Sequence, residues 1–104
     1  MAVRTAERRR SMRVAAAYQA LVRDRRGKFV ARGRTANISH NGVFVVVHAR
    51  TRAIESQVVL ELSVPSAGQG RRGDTRTVVH LCRVVRTENM GDLLGIGLEF
   101  VETH

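Results

Sequence analysis

Asn37-Ile38-Ser39-His40-Asn41-Gly42, followed at once by Val43-Phe44-Val45-Val46-Val47, decides the reading of this chain. The first six residues hold four hydrogen-bonding side chains and a glycine. Asn and Ser bond readily to nearby backbone, and Gly42 has access to positive φ without steric cost, so the stretch reads as a corner. The next five are β-branched or aromatic without a break, which is the composition of a short buried strand. On the incoming side, Lys28 to Ala36 reads as a strand leading into the corner.

The pattern extends outward in both directions. Upstream, Asp24-Arg25-Arg26-Gly27 is a turn, and Val14 to Arg23 before it is read as a strand. Its alanines would suit a helix, but no cap signal precedes it and the turn follows directly. Downstream, His48 to Ser56 is a polar connection. Gln57 to Val64 then alternates, with Val58, Leu60, Leu62 and Val64 on one face. Pro65 to Asp74, with three glycines and the only proline, is a loop. Thr75 to Arg86 is the next strand, Glu88 to Asp92 a turn, and Leu93 to Val101 the last strand. That last strand sets Leu94, Ile96, Leu98 and Phe100 against Gly95 and Gly97 on the opposite face. Six strands at turn-punctuated spacing predict an all-β, six-stranded antiparallel β-barrel over 14–104, since closure removes exposed edges. The chain ends soon after the last strand, so no C-terminal helix is expected.

Composition bounds the function. A length of 104 residues suits one domain. No run approaches the ~18 apolar residues of a membrane helix, and no apolar h-region follows the N-terminal arginines. A cytoplasmic protein with no membrane insertion is the expectation. Lys and Arg number 18 against nine acids, for a formal net charge of +9, and Lys28 is the only lysine. Such an arginine excess favours bidentate recognition of phosphate or guanine edges, or else reflects codon usage. Residues 1–13, with the run Arg8-Arg9-Arg10-Ser11-Met12-Arg13, have no apolar stripe and read as a flexible basic arm.

Two motifs together resemble a known family. Arg9 and Arg13 form R-x-x-x-R, and Asn37 to Gly42 reads N-x-S-x-x-G. In this order, with strands between and after them and Leu94-Gly95-Ile96-Gly97-Leu98-Glu99-Phe100 at the end, they resemble the PilZ domain. PilZ domains are bacterial β-barrel receptors for the second messenger cyclic di-GMP. The resemblance implies that Arg8, Arg9 and Arg13 grip guanine and phosphate, and that Asn37 and Ser39 hydrogen-bond the ligand. It also implies that Gly42, and on the last strand Gly97, permit its close approach. A guanidinium forks onto guanine O6 and N7, worth roughly 1–3 kcal/mol of discrimination when aligned. The family often has Asp where this chain has Asn37. An amide accepts through one oxygen where a carboxylate has two, so weaker binding is expected. The arm would fold onto the barrel around the ligand, and an unidentified downstream protein would read the change.

Each motif also has a plain structural reading. The arginine run alone is a solvated tail. Gly95 and Gly97 relieve crowding in a barrel as readily as they admit a ligand. His80-x-Cys82, with His40 and His48, lacks the further ligands that a tetrahedral metal site needs, so Cys82 is expected in the core. Ser39 and His40 are adjacent and no acid is placed to orient the histidine, so no catalytic residue is expected. Two alternatives from other classes stand beside the receptor reading: a non-specific nucleic-acid-binding basic barrel, and a ligand-independent protein-interaction module. The first is disfavoured by the scarcity of aromatic side chains on which bases would stack.

Overall fold

The computed structural model describes residues 17–48, 54–65 and 74–101. They form six strands: β1 (Gln19–Arg23), β2 (Phe29–Ile38), β3 (Gly42–His48), β4 (Gln57–Pro65), β5 (Thr75–Met90) and β6 (Leu93–Phe100). Every pairing is antiparallel, and the sheet closes as a barrel in the order β1-β2-β3-β6-β5-β4. The expected six-stranded barrel is thus the observed one, sealed by β1 against β4. No helix occurs among the described residues.

Period-2 alternation fills the interior. Val22, Val45, Val47, Val58, Leu60 and Ile96 are fully buried and come from four strands; with Ala31 of β2 and Cys82 of β5, every strand contributes to one core. Removing a Leu or Val side chain from water contributes about 1.5–3 kcal/mol, which explains why small aliphatics suffice to hold the barrel together. Cys82 belongs to this core, and burial pushes its thiol pKa up to about 12. The adjoining His80 stacks on Phe100, with ring centroids 4.3 Å apart. Thr35 is the buried polar residue: its Oγ1 accepts from the Tyr18 amide at 2.9 Å, so its hydroxyl is satisfied.

Strand limits differ from expectation by more than one residue in three places. β1 begins at Gln19; Ala17 and Tyr18 are not strand, and 14–16 lie outside the described residues. β5 runs to Met90 because Glu88 and Asn89, read as turn residues, pair with Gly95 and Leu94. The turn is only Gly91-Asp92, with Gly91 at φ +73°, as a two-residue II′-type hairpin requires. Finally, Asn37 and Ile38 extend β2, which shortens the corner to Ser39-His40-Asn41. The Asp24–Gly27 turn is as expected. The Asp24 carboxylate accepts from the Arg26 and Lys28 amides at 2.9 and 2.8 Å, and the Lys28 bond chiefly holds its pKa below the ordinary value.

Candidate functional site

The corner is built by its own hydrogen bonds. The Ser39 amide donates to the Gly42 carbonyl at 2.8 Å, and the Phe100 amide donates to the Asn41 carbonyl at 2.9 Å. The second bond ties the corner to the end of β6. The Ser39 hydroxyl lies 3.1 Å from Asn41 Oδ1 and 3.3 Å from the Gly42 carbonyl. Its single hydrogen is shared between those two acceptors, so toward a ligand Ser39 offers chiefly lone pairs.

Gly42 has a different role from the one read in the sequence. Positive φ occurs at Gly27 and Gly91, not at Gly42. A Cβ at Gly42 would instead lie 2.5 Å from the Leu98 carbonyl oxygen. Glycine is needed there because the β6 backbone passes too close for a side chain.

Asn37 reaches the outer surface through a β-bulge. The register shifts between Thr35, paired with Val45, and Asn37, paired with Phe44, leaving Ala36 extra. With strict alternation, buried Thr35 would put Asn37 inside as well. The inserted residue resets the phase, so that Asn37 shares the outer face with Phe44 while Ile38 packs on the core. β5 uses the same device. A shift between Val84 and Arg86 makes Val85 the extra residue and brings Arg86 opposite Gly97 on the outer face.

The two bulges place Asn37 and Arg86 at the ends of one cross-strand row, Asn37–Phe44–Gly97–Arg86, which crosses β2, β3, β6 and β5. Three strand spacings make it about 14 Å long. Along it the Arg86 guanidinium carbon lies 5.2 Å from the Phe44 ring centroid. Arg86 also covers Gly97, where an added Cβ would meet its Cγ at 3.2 Å. Gly95, one step along, is covered by the Phe44 ring and by Met90 Sδ. The glycines of β6 therefore make room for the Phe44 ring and the Arg86 side chain on the barrel wall. This is the crowding-relief reading; a ligand touching Gly97 would have to displace or stack upon Arg86.

The structure thus gathers Asn37, Ser39, Gly42 and Gly97 of the sequence-derived set around one end of β2, β3 and β6. Arg8, Arg9 and Arg13 lie outside the described residues. Two residues of the site were not read in the sequence. Phe44 sits in an unbroken apolar run that gives no signal of which side faces out, and Arg86 is moved to this face by a bulge.

The described residues thus form a closed antiparallel barrel with a polar corner and an aromatic–guanidinium row on its outer wall. The family model for the PilZ domain matches residues 7–104, and the chain belongs to that family. Among solved structures, it resembles the Bacillus subtilis inhibitor of motility, MotI/DgrA, at 23% identity and a TM-score of 0.69. That match covers 93% of this chain but 44% of the MotI chain. It also resembles the PilZ domain of YcgR from Escherichia coli, solved with c-di-GMP, at 16% identity and a TM-score of 0.58. Here the coverage is 90% of this chain and 78% of the other. No curated protein matches it. No helix among the described residues is long and apolar enough to cross a membrane.

Proposed function

We propose that this PilZ domain is a non-catalytic receptor for cyclic di-GMP that passes the signal to a partner protein. The observation that carries the reading is the row Asn37–Phe44–Gly97–Arg86 beside the Ser39 corner. Cyclic di-GMP presents two guanines, each with N–H donors and an O6/N7 acceptor edge, and two phosphodiester charges. Asn37 Oδ1 and the Ser39 lone pairs accept from a guanine N–H. Arg86, whose guanidinium already lies over the Phe44 ring, offers a guanidinium for purine stacking. Belonging to the PilZ family, and resembling a YcgR domain solved with this ligand, supports the same choice.

Arg8, Arg9 and Arg13 supply the remaining contacts in this proposal. The Tyr18 carbonyl accepts from the Thr35 amide at 2.9 Å, so the chain enters the barrel two residues before Asn37 on the neighbouring strand. Chain length alone then keeps the Cα of Arg13 within about 18 Å of Tyr18, and that of Arg9 within about 32 Å. Both can reach the row. The ligand's charge offsets the mutual repulsion of the arginines and gathers them over it, and the reshaped surface is what a partner reads.

Calorimetric titration of cyclic di-GMP into the wild type, Arg9→Ala and Arg13→Ala tests this, with GTP and a short single-stranded DNA as controls at two salt concentrations. Saturable binding of cyclic di-GMP that either substitution abolishes is expected. Binding of DNA alone, vanishing at the higher salt, would replace the reading with the basic-barrel alternative. No binding to any of them would leave a ligand-independent interaction module.

A further inference from the structure

Two residues along β3 from the row described above, the outer face of the barrel is hollowed into a trough of about 740 Å³. The strand register shows how it is made. One wall is the ladder Ser63–Gln19–Arg34–Val46, crossing β4, β1, β2 and β3. The other is Leu21 and Arg32 on β1 and β2, continued by His48 and Leu93 on β3 and β6. Between them the floor is the backbone of Ala20, Gly33 and Val47, whose residues alternate inward. Gly33 is obligatory in that floor, because an added Cβ would collide with the Val46 carbonyl oxygen.

Each wall crosses four strands, or three strand spacings, so the trough is about 14 Å long, and the walls stand about 6.7 Å apart, two residue rises. Those are the dimensions of about four residues of extended chain lying across the strands. The polar groups select its chemistry. Arg34 and Arg32 face each other across the middle, one in each wall, with exposed His48 beside them. The ion pairs among the described residues are Arg23–Glu61 and Arg83–Glu99, so among those residues neither central arginine has a carboxylate partner. Arg32 rests instead on the Phe29 ring, 5.7 Å from its centroid. Toward β4 the walls are polar, with Ser63 and Gln19; toward β6 they are apolar, with Val46 and Leu93.

We propose that the trough docks an extended acidic segment of another protein. Side chains of an extended chain alternate between the two walls, so two consecutive acidic residues meet Arg34 and Arg32, and an adjoining apolar residue rests on Val46 and Leu93. The protein's own N-terminal residues are the wrong occupant: Arg4, Arg8, Arg9, Arg10 and Arg13 against Glu7 are repelled by these arginines. A nucleic-acid strand fits less well, since Glu61 stands at one end of the trough and no aromatic lines it for base stacking. The trough shares β2, β3 and β6 with the proposed nucleotide site, and Val46 is two residues from Phe44, so an occupant of one borders an occupant of the other.

The test is an NMR titration of the ¹⁵N-labelled full chain with the blocked hexapeptide Ser-Leu-Glu-Glu-Leu-Ser, whose palindromic order suits either chain direction. Controls are Ser-Leu-Gln-Gln-Leu-Ser and hexathymidylate. Saturable shifts on the amides of Arg32, Gly33, Arg34, Val46 and His48 are expected with the acidic peptide, and at least tenfold weaker binding to an Arg32→Gln/Arg34→Gln double variant. Both side chains are exposed, so the variant should keep its dispersed spectrum and its response to cyclic di-GMP. No shifts, equal shifts with the glutamine peptide or in the variant, or shifts elsewhere would overturn the proposal. Stronger displacement of the same amides by hexathymidylate would overturn it in favour of nucleic acid. If cyclic di-GMP binds neither protein while the peptide shifts persist, the nucleotide reading fails and the docking trough stands.

Discussion

Replacing Gly42 with Ala separates two explanations of that glycine. Its φ is not positive, so Ala meets no backbone penalty of the left-handed kind. The new Cβ, however, would lie 2.5 Å from the Leu98 carbonyl oxygen, at least 0.5 Å inside any tolerable contact. That oxygen is β6 backbone and cannot rotate away, so β3 and β6 must part at the corner. Overpacking of this kind costs about 1–3 kcal/mol. Parting the strands also strains the Phe100-to-Asn41 and Ser39-to-Gly42 backbone bonds, each worth about 1 kcal/mol. A loss of about 2–4 kcal/mol is expected, a large share of the ~5–15 kcal/mol that stabilises a domain of this class. Urea denaturation followed by circular dichroism reads it as a lowered midpoint at unchanged slope. Gly27→Ala is the contrast: nothing lies within 4 Å of its Cβ, but φ is +91°. Only the left-handed cost of about 1–2 kcal/mol applies there. A Gly42→Ala midpoint equal to wild type would refute the close-approach argument and return the glycine to a role in ligand contact.

Other expectations follow from the same geometry. Arg86→Ala should weaken cyclic di-GMP binding about tenfold or more with little change in stability, because it removes the stacking face at one end of the row; calorimetry showing unchanged affinity would remove Arg86 from the site. Gly95→Ala meets the Phe44 ring and Met90 Sδ rather than backbone, so both can give way. It should cost less stability than Gly42→Ala yet still lower affinity by displacing Phe44, and equal losses in both assays would contradict that split. Leu60→Ala, at the fully buried centre, should cost about 2–5 kcal/mol in urea denaturation. Cys82 has a folded pKa raised by burial from 9.0 to about 12. Its contribution to stability is present in full below pH 9 and is lost as pH rises toward 12, at up to about 1.4 kcal/mol per pH unit. A Cys82→Ala variant should show a flatter decline over that window, and iodoacetamide at pH 8 should label Cys82 only in urea.

Alternation along Gln57–Pro65 and Leu93–Phe100, the unbroken run after Gly42 and the turn at Asp24–Gly27 are local features, and from them the strands, the core faces of β4 and β6 and the closed barrel could be read directly. Two motifs, likewise local, pointed to the PilZ family and to the corner at Asn37–Gly42. What stayed hidden depends on how strands meet. The bulges at Ala36 and Val85 invert which side chains face outward, and nothing in either strand alone marks the inserted residue. Only the register of β2 on β3 and of β5 on β6 puts Asn37 and Arg86 at the ends of one row. The purpose of Gly42 is also nonlocal, being set by the β6 carbonyl that passes beside it. The arginine trough arises from ladders across β4, β1, β2 and β3, residues that the chain spreads from Gln19 to Ser63. Period and turn chemistry are written in neighbouring residues; register, bulge placement and the distance between backbones exist only once the sheet has closed.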